Sequence, residues 1–336
     1  MPADQSPKAP LLEVDDLHVE FRTPHGVVQA VNGLSYTLHS GETLALLGES
    51  GSGKSVAAQA VMGLLPTPPA YITRGQIRLH GSDLLQLSEG DHRKVRGSRI
   101  AMVFQDALSA LNPVLTVGDQ ISEMFRVHRG MDRREARRKS VDLMDRVKIP
   151  AAAQRLDDYP HQFSGGMRQR VMIAMSLALE PEVVIADEPT TALDVTVQAQ
   201  IMRLLRELQQ ETGMGLVLIT HDLGVVASVA DRVTVMYAGR AVEEAETPEL
   251  YGDARHPYTR GLLDSIPRLD RLDHALMPIP GSPPDMAHLP TGCSFHPRCP
   301  RTAPPCTQRR PDLLPVAGAH GHRSACHFSQ EVRHGT

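Results

Sequence analysis

The chain has no tryptophan, and aromatic residues make up only 4% of its 336 positions. That disfavours surfaces that hold sugars or bases by stacking. A charge excess is missing as well: 35 basic residues face 39 acidic ones, a net charge of −4, whereas a general nucleic-acid binder would be strongly basic. No apolar run approaches the roughly 18 residues that a membrane-crossing helix needs. The opening, MPADQSPKAP, lacks the basic-then-apolar build of a secretory signal, so a soluble cytosolic protein is expected. What is present is apolar mass. With 41% hydrophobic and 22% charged residues, the chain can bury a sizeable core, which excludes a disordered or coiled-coil protein. Its length allows one large domain and a smaller one, or two of similar size.

Cysteine is absent until Cys293; all four lie between there and Cys326. Eleven of the 26 prolines fall between Pro278 and Pro315. Proline supplies no backbone donor, so this stretch needs some other means of holding its shape. The rest reads as ordinary α/β.

Residues 11–47 read mostly as strand. Val14, Leu17, Val19 and Phe21 mark one apolar stretch, Leu34, Tyr36 and Leu38 alternate, and His25-Gly26 and Ser40-Gly41 are turn signals. Leu44 to Leu47 is a short continuous apolar run, the mark of a strand buried on both faces. Similar runs recur at 100–104, 183–186 and 216–219, each followed by a polar or Gly-rich cluster. That is the layout of a parallel sheet with its chemistry at the strands' carboxyl ends. Residues from about 117 to 160 read as helical, with Asp132 as an N-cap and Ala136, Val141, Met144 and Val147 turned inward. Arg133, Arg134, Arg137, Arg138 and Lys139 read as a solvated helix face rather than a lipid contact.

Gly48-Glu49-Ser50-Gly51-Ser52-Gly53-Lys54-Ser55 fits G-x-x-x-x-G-K-[ST], after a strand and before a helical run with Val56, Ala57, Ala60, Val61 and Leu64. The glycines let the backbone curl until its N–H groups face inward, and the helix N-terminus adds to this anion nest. Lys54 is placed to reach the β- and γ-phosphates and Ser55 to bind Mg²⁺. The 183–186 run ends in Asp187-Glu188. Beside a phosphate loop, Asp187 suits the outer sphere of Mg²⁺ and Glu188 suits a general base that polarises water. Ser164-Gly165-Gly166-Met167-Arg168-Gln169-Arg170 opens another helix, with Ser164 as its N-cap and Val171, Ala174, Met175 and Ala178 on its apolar face. Two glycines leave that helix N-terminus bare enough to meet an anion. One phosphate loop already serves one nucleotide, so a second anion site suggests a nucleotide held between two subunits.

Together these residues carry a resemblance. The phosphate loop, Gln105 after a strand, Ser164-Gly165-Gly166, Asp187-Glu188, Ala192-Leu193-Asp194 and His221 stand in the order seen in the ATP-binding subunits of ABC transporters, over about residues 11–250. The resemblance implies a RecA-like P-loop α/β core with an N-terminal antiparallel β-subdomain and a helical insertion at about 106–163. It implies that Gly48 to Val56 hold ATP, with Lys54, Glu188 and His221 as the catalytic set. By the same resemblance Gln105 senses Mg²⁺ and the membrane subunit, and His221 contacts the γ-phosphate. Asp194 lies on a dimer-facing loop, and Ser164, Gly165, Gly166 and Met167 meet a partner's nucleotide. Phe21 would stack on adenine, although as a half-buried strand residue it reads equally as core.

His256-Pro257-Tyr258-Thr259, then Leu262-Leu263 and the Pro- and Cys-rich tail, resembles the oligopeptide/dipeptide importer branch. Nickel importers and some oligosaccharide importers share this tail. The resemblance divides the chain into a nucleotide-binding domain, 1–254, and an importer-type region, 255–336. Such importers pair two different ATPase subunits. Phe163 and Met167 stand here where the family usually has Leu and Gln, which resembles the first member of such a pair and leaves open whether both composite sites hydrolyse. Cys293, Cys299, Cys306 and Cys326 are spaced C-x5-C-x6-C-x19-C. A cytosolic setting disfavours disulfides, and zinc usually takes tighter pairs. Four cysteines in an irregular loop, one of them in Cys299-Pro300, suit a 4Fe–4S cluster with one ligand per iron, as some similar importer subunits carry. Zinc and unliganded thiols are the alternatives. His296 and His327 are expected to face solvent rather than to act as ligands.

The function implied is ATP hydrolysis that drives peptide uptake, with nickel or oligosaccharide as the other solutes. The implied partners are a second ATP-binding subunit, two transmembrane permease subunits and, indirectly, an extracytoplasmic solute-binding protein; nucleic acid is not among them. The implied location is peripheral, at the cytoplasmic face of the membrane. A non-transport ABC ATPase would usually show long coiled-coil insertions or two cassettes, and neither is present. A purely redox-regulated subunit fits poorly with intact Lys54, Glu188 and His221.

Overall fold

The computed structural model describes residues 9–191, 193–265 and 278–332; Ala192 of the Ala-Leu-Asp motif lies outside the described residues. The chain forms two compact units, each assembled from separated stretches.

The first unit takes residues 12–37, 43–85 and 220–336. Alternation builds its opening strands, β1 (Leu12–Thr23) and β2 (Gly26–Leu38), whose Val14, Leu17, Val19, Leu34, Tyr36 and Leu38 are buried. β3 (Thr43–Leu47) is buried at every residue and runs through the phosphate loop into α1 (Lys54–Val61). Ala57, Ala60 and Val61 are buried as the pattern predicts, but the helix ends before Leu64, which is exposed; Ala58 fills the stripe instead. β4 (Ala70–Leu79) and β5 (Ser82–Asp83) complete an antiparallel sheet of order β2-β1-β4-β5. Phe21 pairs with Ala70 near the end of this sheet and is half-buried.

The second unit takes residues up to 11, 38–42 and 86–219. It contains α2 (Glu89–Val95), β6 (Ile100–Val103), α3 (Ala107–Ala110), α4 (Val117–Arg129), α5 (Arg133–Arg146), α6 (Ala152–Arg155), α7 (Gly165–Leu177), β7 (Val183–Asp187), α8 (Val195–Thr212) and β8 (Gly215–Thr220). β6, β7 and β8 pair in parallel, Ile100 opposite Val183 and Val183 opposite Gly215. Asp132 caps α5 by accepting the Glu135 N–H. Ala136, Met144 and Val147 are buried there, but Val141 is only half-buried and Leu143 takes its place, a rotation of the apolar stripe. The five basic residues at 133, 134 and 137–139 are exposed.

The first unit resumes with α9 (Leu223–Val229), β9 (Arg232–Tyr237), β10 (Arg240–Glu246), α10 (Thr247–Gly252), α11 (Pro257–Asp264), α12 (Pro304–Gln308), β11 (Leu314–Pro315) and β12 (Arg323–Ser324). β9 lies parallel to β3. The sheet is not parallel throughout. A two-residue turn, Ala238-Gly239, with φ of 49° and 77°, folds β10 back antiparallel on β9, and β12 and β11 extend this ribbon. Phe295 from the Pro-rich stretch is buried against Tyr237 and Tyr258, ring centres 5.2 and 5.4 Å away. No helix among the described residues is long and apolar enough to cross a membrane.

Candidate functional site

The phosphate loop closes around its own lysine. Lys54 is 5% exposed, and its Nζ donates to the carbonyls of Gly48 at 2.7 Å and Glu49 at 2.9 Å and to Ser52 Oγ at 3.2 Å. The two outer glycines are sterically required. A Cβ on Gly48 would lie 2.3 Å from the Met236 carbonyl oxygen, and one on Gly53, at φ 98°, 2.3 Å from that of Ala30. Glu49 is engaged by the C-terminal region. Its N–H donates to Tyr258 Oη at 2.8 Å, and Arg298 donates to both of its carboxylate oxygens, at 2.7 and 3.0 Å. Neither contact is visible as a motif in the sequence.

In the second unit, β7 carries Asp187, 5% exposed, to the sheet edge. Glu188 follows with φ 44°, a left-handed conformation that costs a branched or long side chain strain and that tends to gather at functional sites. Its N–H donates to the Ile219 carbonyl at 2.9 Å. Gln105 Nε2 and Thr191 Oγ1 both donate to Glu188 Oε2, each at 2.9 Å. Gln105 and Glu188 therefore meet, a contact that no motif announces, and Thr191 joins them. His221 is exposed, and the next residue, Asp222, caps α9.

Ser164 caps α7 by accepting the Met167 N–H at 3.3 Å. A Cβ on Gly166 would come within 2.6 Å of Val197 Cγ1, so the bare helix start is also a packing requirement against α8. Asp194 caps α8 through the Val197 N–H. Phe163, one of the two departures from the family pattern, is buried, with the Arg155 guanidinium over its ring; it is a core residue. Helix α7 has buried residues on most sides rather than one apolar face, and Met175 is only half-buried.

Cys293, Cys299, Cys306 and Cys326 line one pocket, with Phe295, Pro311 and Phe328 among its other walls. None of the four forms a disulfide. Burial pushes the Cys293 and Cys299 thiols up and the Cys326 thiol to about 12, so these sulfurs stay protonated unless a cation holds them as thiolates. Among the described residues, no three His, Cys, Asp or Glu side chains converge as ligands of one metal ion. His296 and His327 do not simply face solvent. Both stand on the pocket wall, His296 Nδ1 2.9 Å from the Cys293 carbonyl and His327 Nε2 2.8 Å from that of Arg309. Nearby, the fully buried His322 and Glu243 meet at 2.8 Å, and Glu243 also accepts the backbone N–H groups of Arg255 and His256.

Comparison with known proteins matches the chain to two family models: one described as ABC transporter, over residues 31–191, and one described as oligopeptide/dipeptide transporter, C-terminal region, over residues 242–306. The chain is 52% identical to the dipeptide transport ATP-binding protein DppD of Bacillus subtilis over 310 residues, 92% of each chain. It is 49% identical to the oligopeptide transport ATP-binding protein OppD of Haemophilus influenzae over 322 residues, 96% of this chain and 98% of that one. Among solved structures it resembles a bacterial ABC transporter cassette determined as a dimer, with TM-score 0.63 and 27% identity over 70% of this chain and 98% of that one.

Proposed function

The chain belongs to the ABC transporter family, and from that we propose that it is the ATP-hydrolysing subunit that powers uptake of oligopeptides or dipeptides across the cytoplasmic membrane. The observation that carries the chemistry is Lys54, buried at the start of α1 and gripping the carbonyls of its own loop. Phosphate oxygens take over those hydrogen bonds with a gain in charge complementarity. The peptide assignment rests on the matched C-terminal region and on the relatives' printed functions.

Roles follow residue by residue. Lys54 and the N–H groups of the 48–56 loop would hold the phosphates. Ser55, Gln105 and Asp187 would hold Mg²⁺, whose charge offsets that of the phosphates. Asp187 fits this as a nearly buried carboxylate, and Gln105 because its amide nitrogen is turned to Glu188, which leaves the amide oxygen as the ligand atom. Glu188 would accept the proton of the attacking water, its orientation set by Gln105 and Thr191. His221 would steady the γ-phosphate. Ser164, Gly165, Gly166 and Met167, with Asp194, would face the nucleotide of a second, unlike ATPase subunit. ATP then drives the cycle by binding the closed pair better than the open one. Two permease subunits would provide the path, with this chain peripheral on their cytoplasmic side.

Cys293, Cys299, Cys306 and Cys326 would hold a 4Fe–4S cluster with one thiolate at each iron; what supports this reading is that all four line one pocket. Bound there, the cluster would cross-link the 293–306 segment to Cys326.

The test is reconstitution with the partner ATPase and the permeases in proteoliposomes. Uptake of a labelled peptide should require ATP and should vanish with Lys54→Ala. Uptake of nickel or an oligosaccharide in place of peptide would reassign the solute while leaving the ATPase role intact.

A further inference from the structure

Glu49 is the one acidic residue between Gly48 and Ser55. A carboxylate in a phosphate-binding loop opposes the charge of the ligand. Here it is answered from 249 residues away by a prearranged guanidinium. Arg298 Nη1 donates to Oε2 at 2.7 Å and Nη2 to Oε1 at 3.0 Å, the two-pronged geometry that makes such pairs strong. Its Nε donates to the Pro280 carbonyl at 2.9 Å. The rings of Tyr237 and Phe295 each lie 5.9 Å from its central carbon. The Arg298 side chain is 6% exposed, so its position is set by packing. An exposed ion pair would contribute little; this one is mostly dry, bidentate and seated on the loop. Tyr258 holds the same residue by its backbone N–H.

We propose that Arg298 is a positioning residue for nucleotide binding: by gripping Glu49 it cancels the loop's one negative charge and fixes the loop's shape, so that the C-terminal region completes the phosphate site. The proposal rests on the reading that the 48–55 loop binds ATP. Arg298 precedes Cys299 and sits three residues after Phe295, and both of these line the cysteine pocket, so the pocket and the grip on Glu49 share one segment.

The test uses the full-length chain, a fluorescent ATP analogue with Mg²⁺, and the matching ADP analogue. Arg298→Ala should weaken ATP binding about tenfold, the scale of one uncancelled charge a few ångströms from the phosphates. ADP should lose less, and the loss should shrink as salt is raised. Glu49→Gln should tighten ATP binding a few-fold, because the guanidinium then faces the loop alone. The double variant Glu49→Gln/Arg298→Ala should return to within about threefold of wild type, a coupling that only an interacting pair gives. A double variant as weak as Arg298→Ala would overturn the proposal, since Arg298 would then act through the fold. So would a weakened Glu49→Gln. If thermal melting shows that Arg298→Ala does not fold, Arg298→Gln makes the same comparison, and the Glu49→Gln arm stands by itself. Lys54→Ala separates the two readings: if it binds ATP as wild type does, the nucleotide assignment fails and takes this proposal with it. If it loses ATP while Arg298→Ala keeps it, only this proposal fails.

Discussion

Gln105 Nε2 and Glu188 Oε2 are joined at 2.9 Å across 83 residues of sequence. The residue that would contact the membrane subunit thus holds the residue that would activate water. A displacement of the Gln105 loop must either break this bond or turn the Glu188 carboxylate, whose backbone is already strained at φ 44°. If Gln105 meets a permease subunit as proposed, this hydrogen bond would couple hydrolysis to the state of that subunit.

Glu188→Gln should bind ATP normally and release phosphate about 10²–10⁴-fold more slowly, the usual worth of a general base. The measurement is single-turnover phosphate release by the assembled complex. Near-normal turnover would place the hydrolysis in the partner's site.

Gly166→Ala should destabilise the second unit by about 1–3 kcal/mol through overpacking, because its Cβ would meet Val197 Cγ1 at 2.6 Å. Adding Val197→Ala should restore most of the loss. Thermal melting of the two variants decides it, and equal melting of Gly166→Ala and wild type would exclude the clash.

Burial opposes charging of His322, but Glu243 and then Glu249 outweigh it and raise its pKa above the ordinary 6.5. Because the folded value is the higher one, the stabilisation from this group is complete below the unfolded value, near pH 6.5, and is lost as pH climbs through the folded value. His322→Gln should therefore melt below wild type at about pH 6, by on the order of 2–4 °C for each kcal/mol lost, with the gap narrowing toward about pH 9. A gap that stays constant with pH would remove His322 as the titrating group.

Anaerobically purified protein should be brown with about four irons per chain, and Cys299→Ser should lose the iron while ATP binding persists. One zinc per colourless chain would replace the cluster with a rearranged four-thiolate site. Absence of both metals would leave the cysteines as packed thiols.

The strands were legible from the apolar runs at 44–47, 100–104, 183–186 and 216–219 because burial on both faces leaves such a run unbroken, and the nucleotide motifs because their residues are adjacent in sequence. What stayed hidden was made by distance or by backbone. Nothing distinguishes Arg298 from other arginines until the chain brings Glu49 to it. Thr191 bonds Glu188 through a local turn that carries no pattern. The Pro-rich region needs some means of holding its shape other than backbone donors. In fact Phe295 enters the Tyr237–Tyr258 core, Cys293 donates its N–H to the Cys306 carbonyl, and Ala325 donates to that of Val242. The segment borrows a core from elements far upstream. The places of His296 and His327 are hidden for the same reason, since their ring partners are carbonyls that no side-chain pattern reveals.

The 249-residue span between Glu49 and Arg298 also sets an order in time. A ribosome adding about 5–20 residues per second needs roughly 12–50 s to travel from one codon to the other. Through nearly all of that interval the nascent chain has its whole phosphate loop but not the arginine that pairs with Glu49. The subunit becomes ready for nucleotide from its C-terminal end, and a message broken before codon 298 would yield a chain with every ATP motif in place and a loop charged against its own ligand.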